Sequence, residues 1–327
     1  MTETQSVKIR EIISAIRQYE RFIVATHVRP DGDAVGSVLG MKLILQRLGK
    51  SAVALSQDKF SPEFEFLPGT EDVRSRPSPS FDYDVAILVD CGDFDRVGGE
   101  ISEFIRTRVP IVINIDHHCM HAPFGNIYWV ETSASSTCEM LFDICTHLSL
   151  PLDADLASLL YTGILTDTGS FHFSNTNRRV FEVASILVEA GANPVHISRQ
   201  VYDSASPEKL NLLARVLGTI EFHCRSRIAT AELTLRMLAS TAATHMDSEG
   251  FINHLRSVKS VDLAILFREG NDGLIHVSLR SKEGIDVARF AQRHGGGGHR
   301  QAAACRIPGN LNTVRSMVTN EAESYIG

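Results

Sequence analysis

The chain has 327 residues, of which 43% are hydrophobic and 22% charged. Those are ordinary globular values, and the length suits two domains; a disordered chain, a coiled coil and a fibrous repeat are excluded. The net charge of −7 argues against a general nucleic-acid coat protein.

Taken in chain order, apolar residues at Val7, Ile9, Ile12, Ile13 and Ile16 predict a helix over 7–19. The continuous run Phe22-Ile23-Val24-Ala25 predicts a strand covered on both faces, and a helix follows over 36–48, stopped by Gly49. Further strands are predicted over 52–55, 85–89 and 111–113, with a proline-rich loop from Pro62 to Pro79 and a helix over 99–108. The alternation predicts an α/β fold, a doubly wound, mainly parallel sheet with helices on both faces. Helices are then predicted over 136–147, 154–165 and 178–190, and 191–194 stops the last of them. Ser206-Pro207-Glu208 reads as the capped start of a connecting helix to about 220. Strands over 228–235, 261–268 and 273–279 and a helix over 287–293 complete a smaller α/β domain. The expected domains are 1–205 and 206–327, facing one another across a cleft.

The charge divides at the same place. Residues 1–205 carry 17 basic and 27 acidic side chains, a net of −10; residues 206–327 carry 15 and 12, a net of +3. No apolar run reaches the roughly 18–20 residues that span a bilayer. The polar N-terminus shows no signal-peptide pattern, and none of the six cysteines forms a CxxC pair. The expectation is a cytoplasmic protein with reduced thiols and no membrane partner.

The chemistry-bearing residues fall just after the predicted strands. His27, Asp31 and Asp33 lie in the loop after the first strand, Asp90 follows the third, Asp116-His117-His118 the fourth, and Asp167 ends a helix. Ligands of an open parallel sheet bind outside the carboxyl ends of its strands, so His27, Asp31, Asp33, Asp90, His117 and Asp167 are brought to one place. Each residue alone reads as a cap or turn former; their coincidence at one sheet end is the signal. Four carboxylates in one cleft repel unless cations neutralise them. Oxygen with imidazole and no thiolate suits Mn²⁺ or Mg²⁺, and six ligands suit two cations about 3.5–4 Å apart better than one.

These residues also carry a resemblance. His27-x3-Asp31-x-Asp33-Ala34, Val89-Asp90, Asp116-His117-His118 and the stretch from Gly163 to Gly169 resemble motifs I to IV of the DHH phosphoesterase superfamily. The run Gly295-Gly296-Gly297-Gly298-His299 is similar to the glycine-rich motif of the DHHA1 domain. Size and layout most resemble the nanoRNase (oligoribonuclease) and pAp phosphatase group. The resemblance implies His27, Asp31, Asp33, Asp90, His117 and Asp167 as ligands of two divalent cations, Mn²⁺ preferred, with Asp90 and Asp167 shared. It implies that His118 faces the scissile phosphate and that Asp116 orients a neighbouring imidazole, and it makes a homodimer an expectation.

The basic half offers a second group. Four glycines let a backbone approach an anion, and Arg280 and His299 add donors, with Ser281 beside them. In the acidic half, Ser135 and Ser136 open a helix whose N-terminus could meet a phosphate, although capping alone accounts for them nearly as well. His172 stands where relatives often carry arginine. The implied activity is metal-assisted hydrolysis, by a hydroxide shared between two cations, of very short single-stranded RNA, with pAp and linear dinucleotides such as pApA as further substrates. Alternatives are a cyclic-dinucleotide phosphodiesterase, a RecJ-like exonuclease, an inorganic pyrophosphatase of the same superfamily and a non-catalytic nucleotide sensor.

Overall fold

Apolar runs without polar alternation form the first sheet. In this computed structural model, which describes residues 3–119, 122–282 and 284–326, β1 (Arg21–Ala25), β2 (Ser51–Leu55), β3 (Val85–Val89), β4 (Ile111–Asp116) and β5 (Ile127–Val130) are all parallel, in the order β2-β1-β3-β4-β5. The helices of this unit are α1 (Glu3–Gln18), α2 (Gly32–Arg47), α3 (Gly99–Arg108), α4 (Thr137–Leu148), α5 (Ala154–Asp167), α6 (Arg178–Glu189) and α7 (Pro194–Tyr202). Phe22, Val24, Ile87, Val89, Ile113 and Ile115 meet α1, α2, α4 and α5 on one face. Ile23, Ala25, Ala86 and Leu88 meet Ile101 and Ile105 of α3 on the other. The sheet is therefore doubly wound.

Strand order fixes where a site can open. From β1 the chain runs through α2 to β2 on one side; from β3 it runs through α3 to β4 on the other. The connections diverge between β1 and β3, and such a switch point leaves a crevice at the carboxyl ends of those strands.

α2 begins at Gly32, four residues before the predicted start, with Asp31 as its N-cap accepting a hydrogen bond from the Ala34 N–H at 3.1 Å. Asp33 thus sits in the first helical turn, whereas the sequence suggested a loop. The glycines that obscured this start are packing residues: a Cβ at Gly36 would strike the Leu159 carbonyl of α5. β5 and α7 had no counterpart in the sequence reading.

A second compact unit begins at Ala205. It contains α8 (Pro207–Leu217), β6 (Glu221–His223), β7 (Ile228–Leu233), α9 (Leu235–Thr241), α10 (Phe251–Arg256), β8 (Leu263–Glu269), β9 (Leu274–Ser281), α11 (Val287–Gln292), β10 (Gly297–His299), β11 (Ala302–Pro308) and α12 (Leu311–Ile326). Ser206 caps α8 and Pro207 occupies its first turn, as predicted. The sheet order is β10-β11-β9-β8-β7-β6, antiparallel except for β7 beside β8. Val287, Phe290, Val314 and Val318 of α11 and α12 bury one face, and Leu212, Leu238, Phe251 and Leu255 of α8, α9 and α10 cover Ala229, Ala264 and Leu266 on the other.

Candidate metal centre

The crevice at the switch point is lined by the polar residues that end the strands. β1 runs into Thr26 and His27, β3 into Asp90, and β4 closes on Asp116 with His117 and His118 behind it. α2 contributes Asp33 from its first turn, and α5 ends on Asp167. His27, Asp33, Asp90, Asp116 and His117 are buried, and the Asp167 side chain is about a quarter exposed.

Asp90 is the hub. Its Oδ2 lies 3.6 Å from His27 Nε2; its Oδ1 lies 3.6 Å from His117 Nε2 and 3.3 Å from His118 Nδ1. Its backbone is left-handed, with φ of 53°, a costly conformation for a residue with a Cβ. His117 Nε2 also faces Asp167 Oδ2 at 3.3 Å and Asp33 Oδ2 at 3.9 Å. His27 Nε2 faces Asp31 Oδ1 at 4.0 Å. Among the described residues, three sets of side chains could each hold an ion: His27 with Asp31 and Asp90, Asp90 with His117 and His118, and Asp33 with His117 and Asp167.

Several hydrogen bonds aim these ligand atoms. His27 Nδ1 pairs with the Val28 carbonyl at 2.8 Å, which places the proton on Nδ1 and leaves Nε2 as the ligand atom. The Thr137 and Cys138 N–H groups, at the start of α4, donate to Asp33 Oδ2 and Oδ1 at 2.7 and 2.9 Å. Asp116 Oδ1 accepts from the His118 N–H at 2.8 Å and holds His118 Nδ1 at 2.7 Å. So Asp116 orients an imidazole, and that imidazole is His118.

The electrostatics describe a site charged for cations. Burial and the neighbouring Asp90 push the Asp33 carboxyl well above the usual range; burial and Asp33 do the same to Asp167. Burial works the same way on Asp90 but is outweighed by His118 and His27, which hold it well below that range. Burial and the His118 charge lower His117, keeping it neutral, as a ligand must be. Burial opposes a charge on His118, but Asp116 and Asp90 raise it well above an ordinary histidine. Crowded carboxylates with hard oxygen and imidazole donors fit a divalent cation, whose charge would relieve their mutual repulsion.

The remaining predicted residues fall elsewhere. Ser136 caps α4, accepting from Glu139 N–H at 3.1 Å, and Ser135 Oγ donates to Glu139 Oε2 at 2.6 Å. Both are fully buried, so their hydroxyls serve a capping box rather than an open surface. His172 is exposed in the turn after α5. In the second unit Arg280 and Ser281 are neighbours on β9, so their side chains take opposite faces. Ser281 is buried and donates to the Ile285 carbonyl at 2.9 Å; Arg280 is half-buried on the other face. Gly297 and Gly298 belong to β10, with Gly296 just before it, and a Cβ at Gly296 or Gly298 would strike the Ala304 or Ala302 carbonyl of β11. His299 ends β10, and its side chain lies outside what the structure describes.

One contributor was missed: Thr137 donates its hydroxyl to Asp90 Oδ1 at 3.2 Å, and its signal was its place beside the singled-out serines.

Comparison with known proteins agrees with this geometry. Residues 21–164 match the family model described as DHH family, N-terminal domain, and residues 231–324 match the DHHA1 domain. A bifunctional oligoribonuclease and PAP phosphatase NrnA of Thermus thermophilus is 33% identical, over 92% of this chain and 89% of that protein. The protein of the same description in Bacillus subtilis is 27% identical, over 91% and 92%. Among solved structures, an exopolyphosphatase-related protein from Bacteroides fragilis superposes with a TM-score of 0.89 at 27% identity, covering 98% of this chain and 96% of that one. RecJ from Thermus thermophilus shares the fold, with a TM-score of 0.56 at 14% identity, over 99% of this chain and 54% of its own.

Proposed function

Since the chain belongs to the DHH family and carries a DHHA1 domain, we propose that it hydrolyses very short single-stranded RNA to mononucleotides, and pAp and linear dinucleotides such as pApA as well. One observation carries the reading: three potential ion-holding sets converge at the switch point, two of them through Asp90. The activities named for the Thermus and Bacillus relatives support the choice of substrate.

Two divalent cations, Mn²⁺ in preference to Mg²⁺, would be held by His27, Asp31, Asp33, Asp90, His117 and Asp167, the residues of the ion-holding sets. When bound, the cations supply Lewis acidity and an activated water to a phosphoester. His118 meets the phosphate: Asp116 holds its Nδ1 and so aims the ring, which donates toward charge that develops there. Burial keeps bulk water from Asp33 and Asp90, which strengthens their interactions, while Asp31 and Asp167 stay open to solvent. Arg280, His172, His299 and the β10 glycines are the substrate-binding candidates. This reading takes the protein as a cytoplasmic enzyme and a homodimer.

The test is a panel with added Mn²⁺: an RNA dinucleotide, a longer RNA, the matching DNA, pAp, pApA and pyrophosphate. Rapid turnover of the dinucleotide and pAp is expected, and Asp90→Asn should reduce both to background. Turnover of pyrophosphate alone, or full activity in the variant, overturns the reading.

A further inference from the structure

Thr137 touches both halves of the proposed centre. Its N–H donates to Asp33 Oδ2 at 2.7 Å and its Oγ1 donates to Asp90 Oδ1 at 3.2 Å. Those are the two oxygens that His117 Nε2 faces, at 3.9 and 3.6 Å. Asp33 belongs to the set with His117 and Asp167; Asp90 belongs to the set with His27 and Asp31. Thr137 is fully buried, as the first residue of α4, where its N–H has no partner within the helix. The adjoining Cys138 N–H holds the other oxygen of Asp33, so the carboxylate is gripped along its edge.

The geometry points to Thr137 as a positioning residue that sets the spacing of Asp33 and Asp90 and thereby couples the two cation subsites, so that they fill together. Two buried carboxylates facing the same imidazole repel one another, and each can relieve the repulsion by turning away. A donor on each, both from one rigid residue, opposes that rotation. Partners that orient ligands in this way typically control metal affinity by about 10–100-fold. The inference rests on the metal-centre reading above but needs no phosphoesterase activity.

The experiment is a calorimetric titration of the metal-free full-length protein with Mn²⁺ alone, for the unaltered chain, Thr137→Val and Thr137→Ser. Valine keeps the shape and the N–H contact to Asp33 and removes only the hydroxyl; serine keeps the hydroxyl. Expected are a single saturating transition for the unaltered chain, a loss of about 10–100-fold in affinity with separation into two transitions for Thr137→Val, and recovery toward the unaltered curve for Thr137→Ser. A merely structural role would instead lower the melting temperature of both variants in chelator and leave the binding curve of the folded fraction unchanged, and that result overturns the inference. Identical titrations of Thr137→Val and the unaltered chain overturn it too. Cations bound by the unaltered chain without hydrolysis of any RNA would sink the substrate reading and leave this inference standing. No Mn²⁺ binding by the unaltered chain would sink both the metal-centre reading and this inference.

Discussion

At the scale of single residues, Asp116 and Asp84 show how one carboxylate can be bound to one task. Asp116 is fully buried and spends Oδ1 on the backbone and ring of His118, taking no part in the three ion-holding sets. Asp116→Asn should therefore leave Mn²⁺ affinity within a few-fold while kcat on an RNA dinucleotide falls by about 10²-fold, the scale of losing one aligned donor. A matching loss of Mn²⁺ affinity would place Asp116 among the ligands instead. Asp84, at the opposite end of β3 from Asp90, accepts three hydrogen bonds from the Arg21 side chain, two of them from Nε, and one from its N–H. The Arg21 guanidinium is the main cause of its lowered pKa. A depressed carboxylate adds stability above its unfolded pKa, about 3.9 for aspartate, and loses it as pH falls through the folded value. Asp84→Asn should thus melt below the unaltered chain at pH 7, and the gap should close in acid. Melting curves across that range check the sign.

At the scale of elements, the centre depends on how tightly α2, α4 and α5 approach. Gly163 of α5 lies against Cys138 Sγ and Asp33 Oδ1, with no room for a Cβ. Gly163→Ala should cost about 1–3 kcal/mol by overpacking and should weaken Mn²⁺ binding, since the displaced atoms include an oxygen of Asp33, a candidate ligand. Thermal melts with and without Mn²⁺ separate the two effects. The same packing explains what was legible in the sequence. β3 and α3 were bounded as the structure has them because an unbroken apolar run and a polar amphipathic stretch are local signals. The start of α2 was not, because Asp31-Gly32-Asp33 reads locally as a turn, and only the presence of α5, against which Gly32 packs at Thr166, makes Gly32 a helical packing residue. Asp116, His118 and the six candidate ligands could be picked out of the sequence because they lie at or just past the ends of strands and helices, and the structure brings them to one place. Capping by Ser136 was legible beside the phosphate reading, whereas the task of Ser281 was not, since its partner, the Ile285 carbonyl, comes into reach only in the folded chain. The glycine run read as a loop, yet part of it is β10, whose pairing with β11 is non-local.

At the scale of the molecule, Asp31, Asp33, Asp90 and Asp167 of the acidic first unit meet at a site that could hold cations, whereas the second unit holds no ion-holding set among its described residues. Mn²⁺ at a hundredfold over its dissociation constant adds about 2.7 kcal/mol to a folded state that alone binds it, which for a unit of this size is about 5–10 °C. Calorimetry should resolve a Mn²⁺-sensitive transition and a Mn²⁺-indifferent one; a shift of both by the same amount would show that the units unfold as one. The second sheet also ends, at each edge, in a strand of three residues, β6 and β10. Long exposed edges recruit strands from other molecules, and very short ones do not. The brevity of β10 thus guards the protein against sheet-to-sheet association, a duty distinct from any ligand contact. A Cβ at Gly297 meets open space, so Gly297→Val should fold normally and yet, by stiffening that edge, should begin to self-associate in light scattering as concentration rises.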